Sequence, residues 1–321
     1  MKAIVQTGYG RPDRVLQLAE VEPPAPTADQ VVVRVRAASL NAGDWRRVHA
    51  SPFIIRLVAG FRRPNEAGLG ADAAGVVEAV GAAVTHVQPG DQVYGIRQGS
   101  LAELVAGKSF VRKPANLSFE EAAALPVAAV TALQAVRDHG KVQAGDRVLV
   151  NGAGGGVGSM TVQVARAFGA DVTATTRGES VEMVRSLGAD RVVDHRREDV
   201  TRGTATFDVI IDCGGTPSVR AFRRILAPGG RLVLVAAGMG WGGGIGRFIG
   251  GAIRRRLLKQ PIITFIAGGD FVENLGALRE LAEAGKLRPV IERTYPLPQA
   301  PDAVEYTTST SVRGKVVITI P

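Results

Sequence analysis

Between Asn151 and Arg177 the chain sets out residues whose types and spacing have a definite chemical use. Glycines stand at 152, 154, 155, 156 and 158, with Val157 among them. An amphipathic run then reaches Phe168, and the next apolar run closes on Thr175-Thr176-Arg177. Glycine removes side chains where backbone must approach a pyrophosphate, and a helix beginning near Val157 aims free N–H groups and its positive dipole end at that anion. Asn151, Gly154, Gly155, Gly156 and Val157 are the candidate contacts. The strict Gly-x-Gly-x-x-Gly spacing is not met, because position 157 is Val where the pattern asks for Gly. Context carries the reading instead: the apolar strand RVLV before the turn, Gly169 as the helix stop, and a second strand over Asp171–Thr175. That order is a βαβ dinucleotide-binding unit. No Gly-Lys-Ser/Thr follows the turn, which excludes a P-loop at this motif.

The end of the second strand bears on which dinucleotide is held. A carboxylate there suits a ribose 2′-OH, whereas a guanidinium suits a 2′-phosphate through charge-assisted, bidentate bonding. Here the strand ends in Thr176 and Arg177, and the first carboxylate is Glu179. NADPH is favoured over NADH; the competing reading of Arg177 is a solvated surface arginine.

The chain of 321 residues is long enough for two domains with their own cores. Residues 1 to about 120 are β-rich, with MKAIVQ, VVVRVRAASL and VQPGDQVYGI reading as strands and turns. SFEEAAALPVAAVTALQAV reads as one helix with a capping box of Ser118 and Glu121. Six apolar runs come next: RVLV, DVTAT, RVVD, FDVIIDC, RLVLVA and IITFIA. With helices between most of them, they predict a doubly wound parallel sheet. ENLGALRELAEAGKL predicts a late helix, and KVVITI a final strand.

The longest apolar runs fall short of the ~18 residues a membrane-spanning helix needs. After Met1-Lys2 the apolar run breaks at Gln6, so no cleavable signal peptide is expected. The single cysteine, Cys213, makes an intramolecular disulfide and a thiolate zinc cluster impossible within the chain, and a reducing cytoplasm is the expected compartment. A net charge of +9 makes nucleic-acid binding a rival, but arginines spread over several segments and only 5% aromatic residues rank it last. Two segments concentrate the basic charge, 45–63 and 246–260. The second, GRFIGGAIRRRLLKQ, reads as a basic amphipathic helix of the kind that meets anionic membrane surfaces, or as a solvated helix on the rim of a cleft.

The ordered set ASLNAGDWR (38–46), GLGADAAGVVEAVG (68–81), PGDQVYG (89–95), ALPVAAVTALQA (124–135), the glycine loop, VRSLGADRVVDHRRED (184–199) and RGKVVITI (313–320) resembles the medium-chain dehydrogenase/reductase superfamily, in its zinc-independent quinone oxidoreductase-like branch. The resemblance implies an α/β fold: a Rossmann doubly wound parallel sheet over 123–267 and a GroES-like β-rich catalytic domain made of 1–122 and 268–321. It also implies a homodimer, through the edge strand near Ile262 to Ala267. Zinc enzymes that resemble this chain carry Cys near the position of Asn41 and Gly-His-Glu where Gly70-Ala71-Asp72 stands, so no zinc is expected. His49, His86, His139 and His195 lack ligand spacing. Without a Lewis acid, the acceptor should be one that takes hydride easily, a quinone or an α,β-unsaturated carbonyl. Alcohol dehydrogenase chemistry and a non-catalytic NADPH-binding module are the alternatives.

By the same resemblance the nicotinamide pocket includes Asn41, Asp44 and Thr131. Asn41 is a donor to a carbonyl oxygen or an Asx-turn stabiliser. Asp44 orients the loop or pairs with Arg46 or Arg47. Thr131 contacts the cofactor or is plain core. Tyr94 is the best aromatic donor, or a packed strand residue. His195 follows the third strand, where the family commonly has Tyr near the adenosine. Cys213 and Gly214, then Ala236 and Gly238, lie at strand C-termini, where such sheets bind ligands. Arg313 and Lys315 of the RGK motif resemble a basic contact to the cofactor, or form a solvated pair.

Overall fold

The computed structural model describes the whole chain except residues 52, 54, 236–260 and 309–311. Its described strands, in chain order, are β1 (Lys2–Gln6), β2 (Leu16–Glu20), β3 (Val31–Leu40), β4 (Asp72–Val80), β5 (Gln92–Ile96), β6 (Leu104–Gly107), β7 (Ser109–Arg112), β8 (Arg147–Asn151), β9 (Asp171–Thr176), β10 (Arg191–Asp194), β11 (Phe207–Asp212), β12 (Leu226–Val235), β13 (Ile262–Phe265), β14 (Ile291–Pro296) and β15 (Lys315–Thr319). They fall into two compact units: Met1–Val127 with Asp270–Glu283 and Pro289–Pro321, and Ala128–Gly269 with Ala284–Arg288. The segment containing 246–260, with Ala236 and Gly238, lies outside the described residues.

In the first unit, β1 pairs antiparallel with β2, and a larger sheet runs in the order β14-β15-β3-β4-β5-β7. β3 is its organiser. One edge holds β4, while the other holds β6 along residues 31–34 and β15 along residues 37–40. Ile4, Val33, Leu40, Val93, Phe110 and Ile318 are part of one continuous core. Two registers gather polar residues at one end of this sheet: Ser39 stands opposite Asp72, and Leu40 opposite Val316. The late helix, Phe271–Glu283, joins this unit, held by Tyr94 Oη donating to Leu275 O and Asn116 Nδ2 donating to Ala282 O.

In the second unit the sheet is all parallel in the order β10-β9-β8-β11-β12-β13. This is the doubly wound order with its topological switch between β8 and β11. Leu149, Ile210, Phe222 and Leu232 are buried between the sheet and its covering elements, which is why these strands read as apolar runs. Ala284–Arg288 joins this unit because Gln163 clasps the backbone of Arg288 at both ends, its Nε2 donating to Arg288 O and its Oε1 accepting from Arg288 N, each at 2.9 Å. A clasp across 125 residues has no signature in sequence order. The unit boundaries at Val127/Ala128 and Gly269/Asp270 differ from the 122/123 and 267/268 read from sequence.

The predicted helix over SFEEAAALPVAAVTALQAV is three pieces: helix Phe119–Ala123, helix Pro126–Leu133 and a π-helical turn over Gln134–Gly140. Pro126 has no N–H to continue the first helix and restricts Leu125 before it. The capping box is as read. Ser118 Oγ accepts from Glu121 N at 3.2 Å, and Glu121 Oε2 accepts from Ser118 N at 2.9 Å. Among the described residues no helix is long and apolar enough to cross a membrane. Ser118→Ala should destabilise the first unit by about 1 kcal/mol and lower its melting temperature by about 2–4 °C, measured by calorimetry.

Candidate functional site

The first unit contains a polar cluster built on one interior carboxylate. Asp72, the first residue of β4, is fully buried. Its Oδ2 accepts from Ser39 Oγ at 2.9 Å, from Asn41 Nδ2 at 2.9 Å and from Lys315 Nζ at 3.2 Å. Its Oδ1 accepts from Val127 N at 2.9 Å, in the first turn of the helix Pro126–Leu133. Lys315 is 3% exposed, and its ammonium also donates to Asn41 Oδ1 at 2.6 Å. Sheet register makes the cluster: Ser39 is the direct cross-strand partner of Asp72, and Lys315 precedes the Val316 that faces Leu40. A buried ion pair survives only when its remaining hydrogen-bonding capacity is met, and here four donors surround one carboxylate.

Asn41 caps the helix Ala42–His49, whose third residue is Asp44. Asp44 Oδ2 accepts from Asn41 N at 2.7 Å and the side chain is buried. Burial pushes its carboxyl up to about 6; the Asn41 N–H and the charges of Lys315 and Arg47 pull the other way, while Asp72 adds to the rise. Asp44 is thus the structural half of a capping box, within the field of the Asp72–Lys315 pair.

The second unit carries the glycine turn. Gly152 has φ +80°, and a Cβ there would lie 2.8 Å from Gly214 Cα. At Gly158 a Cβ would lie 2.1 Å from Gly152 O, so the helix Gly156–Ala167 packs on its own turn. Gly155, by contrast, is open, with nothing nearer than 3.8 Å. The first helical hydrogen bond is donated by Ser159 to Gly155 O at 2.9 Å, leaving the amides of the first turn directed out of the helix end. An open glycine at a helix N-terminus fits a dinucleotide pyrophosphate. Beneath it a row crosses three strands: Asn151 is paired with Thr175 on β9 and with Asp212 on β11. Asn151 Nδ2 donates to Asp212 Oδ1 and Thr216 O, and its Oδ1 accepts from Thr175 Oγ1. Asp212 Oδ1 also accepts from Gly214 N at 3.1 Å and Gly215 N at 2.9 Å.

At the end of β9, Thr176 is buried beneath Gly154, where an added Cβ would lie 2.6 Å from its Oγ1. Arg177 is half-buried. The neighbouring carboxylate, Glu179, is held by Arg196 at 2.8 Å, and among the described residues none is hydrogen-bonded to the Arg177 guanidinium.

Over residues 27–109 the chain matches the family model described as an alcohol dehydrogenase GroES-like domain, and over 187–318 that of a zinc-binding dehydrogenase. It is 33% identical to the chloroplastic NADPH-dependent alkenal/one oxidoreductase of Arabidopsis thaliana, covering 99% of this chain and 79% of that one. It is equally 33% identical to the 2-methylene-furan-3-one reductase of Solanum lycopersicum, with the same two coverages, 99% and 79%. The quinone oxidoreductase of Coxiella burnetii superposes with a TM-score of 0.86 at 30% identity, over 100% of this chain and 99% of that one. This chain belongs to the medium-chain dehydrogenase/reductase superfamily. Its relatives are the quinone and alkenal oxidoreductases of that superfamily, and its two units are the GroES-like domain and the Rossmann domain.

Several site expectations for this medium-chain dehydrogenase/reductase need correction. Tyr94 is no free donor: it is fully buried, its hydroxyl donates to Leu275 O at 2.6 Å, and burial holds it protonated far above the usual phenol range. The reason is the helix Phe271–Glu283, whose packing on Tyr94 spans 181 residues. Asn151 offers a ligand no side-chain group, since both amide hydrogens and the oxygen are engaged in the row beneath the turn. Lys315 is not half of a solvated pair; it sits inside the Asp72 cluster, while Arg313 forks onto Glu292 at 3.0 Å. Cys213 packs its sulfur against Thr161, and burial pushes its thiol up to about 12. His195 is exposed, its backbone N–H bonded to Thr176 O at 3.0 Å, and Thr131 is buried in its helix. Asp72 and Ser39 escape a reading of the sequence as site residues; a carboxylate opening an otherwise apolar strand, DAAGVV, is the available signal.

Asp44 gives a signed pH dependence. Its carboxyl rises from 3.8 to about 6 on folding, so between those values the folded chain binds more protons than the unfolded one, and stability falls as pH rises through that window. Asp44→Asn retains an oxygen for the Asn41 N–H and removes the titration. The variant should be more stable than the parent at pH 7–8, by on the order of 3 kcal/mol, and the gap should close toward pH 4. Urea unfolding of both proteins across pH 4–8 measures it; a constant gap would refute the assignment.

Proposed function

We propose that the protein is an NADPH-dependent, zinc-independent reductase of quinones or α,β-unsaturated carbonyls. The observation that carries this reading is the Asn41 amide, whose oxygen is held by Lys315 and one of whose N–H bonds is held by Asp72. Among the described residues its second N–H has no acceptor, and Asn41 is only half-buried. When bound, the dinucleotide supplies a hydride. For an enone the hydride goes to the β-carbon, the electron pair of the double bond moves toward the carbonyl oxygen, and the α-carbon later takes a proton from solvent. The Asn41 N–H meets the charge that develops on that oxygen. Asp44 keeps the turn bearing Asn41 in shape through its bond to the Asn41 backbone.

The donor set does not fit zinc: the carboxylate at position 72 is taken by an ammonium and three N–H or O–H donors, and Asn41 is neutral. The relatives named for alkenals, enones and quinones support the same acceptor class. Glu179 bonds Arg196 rather than Arg177, which supports the choice of NADPH. Oxidation of NADPH should proceed with an ortho-quinone and a 2-alkenal and not with the matching saturated aldehyde; binding of NADPH with turnover of no acceptor would favour a non-catalytic module. Arg177→Ala should raise KM for NADPH about 10–100-fold and leave NADH kinetics nearly unchanged, whereas equal losses with both would remove Arg177 from the 2′-phosphate.

A second reading concerns where an apolar acceptor comes from. Phe53, Leu57 and Phe61 are 60%, 69% and 62% exposed, and the guanidinium of Arg56 lies 5.0 Å from the Phe53 ring centre. Residues 45–63 hold five arginines and no carboxylate. Exposed aromatic residues set in a segment rich in arginine favour an anionic lipid surface. Vesicles containing phosphatidylserine should sediment the protein at low salt, and Phe53→Ser with Phe61→Ser should abolish it; binding unchanged by the double substitution would sink the idea.

A further inference from the structure

We propose that Asp72 and Lys315 are positioning residues that fix which end of the Asn41 amide meets the acceptor; this rests on the reductase reading above. An asparagine amide has two ends of nearly equal shape and opposite hydrogen-bonding sense. A turn alone chooses poorly between them. Here the choice is made by two neighbours that cannot exchange roles: an ammonium only donates, and a carboxylate only accepts. Lys315 Nζ lies 2.6 Å from Asn41 Oδ1, and Asp72 Oδ2 lies 2.9 Å from Asn41 Nδ2. Turning the amide over would set N–H against ammonium and oxygen against carboxylate. The Asn41 side chain is therefore locked as a donor, with its remaining N–H available to a ligand.

Asn151 is a contrasting case within the same chain. That amide is also locked by a buried carboxylate, but its second hydrogen is spent on Thr216 O and its oxygen on Thr175, and the residue is 5% exposed. Its locking serves only the fold. Asn41 has the same device with one valence left over. The Lys315 bond also polarises the amide, because a charge-assisted bond at the oxygen strengthens the donor at the nitrogen. Asp72 and Lys315 are 0% and 3% exposed in their side chains, and a buried pair of this kind is weak as a stabiliser, so its orienting effect is the more economical account of it. Neither residue needs to touch the substrate.

The test is a double-mutant cycle with a readout outside catalysis. Asn41→Ala should lower kcat on a 2-alkenal about 10²–10³-fold. Lys315→Met should lower it at least about tenfold, with KM for NADPH changed less than about twofold, and should cost nothing further in the Asn41→Ala background. Additive losses would overturn the proposal, since Lys315 would then act without Asn41. In protein labelled with ¹⁵N-asparagine, the Asn41 side-chain signals are assigned by their loss in Asn41→Ala. One amide hydrogen should exchange slowly in the parent and rapidly in Lys315→Met; unchanged protection would equally overturn it. Should the lone carboxylate unfold Lys315→Met, the variant Asp72→Asn with Lys315→Met removes both charges and should show the same kcat fall and the same loss of protection. If the parent protein turns over no acceptor, the reductase reading fails, and the amide exchange alone still decides the orientation.

Discussion

The first unit depends on keeping one buried carboxylate satisfied. Asp72 is fully buried, so the oxygen lone pairs it uses are met by the protein, and the four donors come from three separate stretches of chain: residues 39–41, Val127 and Lys315. That requirement ties β3, β4, β15 and the start of the helix Pro126–Leu133 to one point. Removing any one donor would leave a charge in a low-dielectric interior, where an unmet hydrogen bond costs far more than a met one contributes. The same constraint that closes the fold there also sets the orientation of Asn41.

The second unit repeats the principle with a different outcome. Asp212 collects the Asn151 amide and the backbone N–H groups of Gly214 and Gly215, so the loop after β11 and the glycine turn after β8 are held by one oxygen. A side chain on Gly152 would run into the backbone of Gly214, and one on Gly214 would press on the Asn151 amide nitrogen. These bonds brace the turn from its underside. Its outer side, at Gly155, stays open. A binding loop of this kind has its shape fixed before a ligand arrives, which spares the ordering cost on binding.

Much of this is legible in the residues. Apolar runs bounded by turn residues mark β8 to β13, because a strand covered on both faces has no polar side to show. The Ser118 and Glu121 box is readable because capping is local, acting over three residues. Legibility ends where partners are distant. Tyr94 reads as a donor in sequence, yet a helix 181 residues away takes its hydroxyl. Lys315 reads as a basic contact to the cofactor or half of a solvated pair, yet strand pairing puts it beside Asp72, 243 residues earlier. The single helix expected through Pro126 breaks for a local reason, the missing proline N–H, which is itself visible in the sequence.

By itself, then, the sequence determined most strands, the parallel sheet and the dinucleotide turn, since each rests on periodicity or on residues close in the chain; the family came from the resemblance of an ordered set of segments along nearly the whole chain. Only the tertiary structure decided which polar side chains are spent and which have a valence left. Asn41 and Asn151 are the same residue type, each beside a buried carboxylate. Sheet register and the loop after β11 fill both N–H groups of Asn151, with Asp212 and Thr216 O, while Asn41 keeps one, and register is a property of strands brought together from far apart.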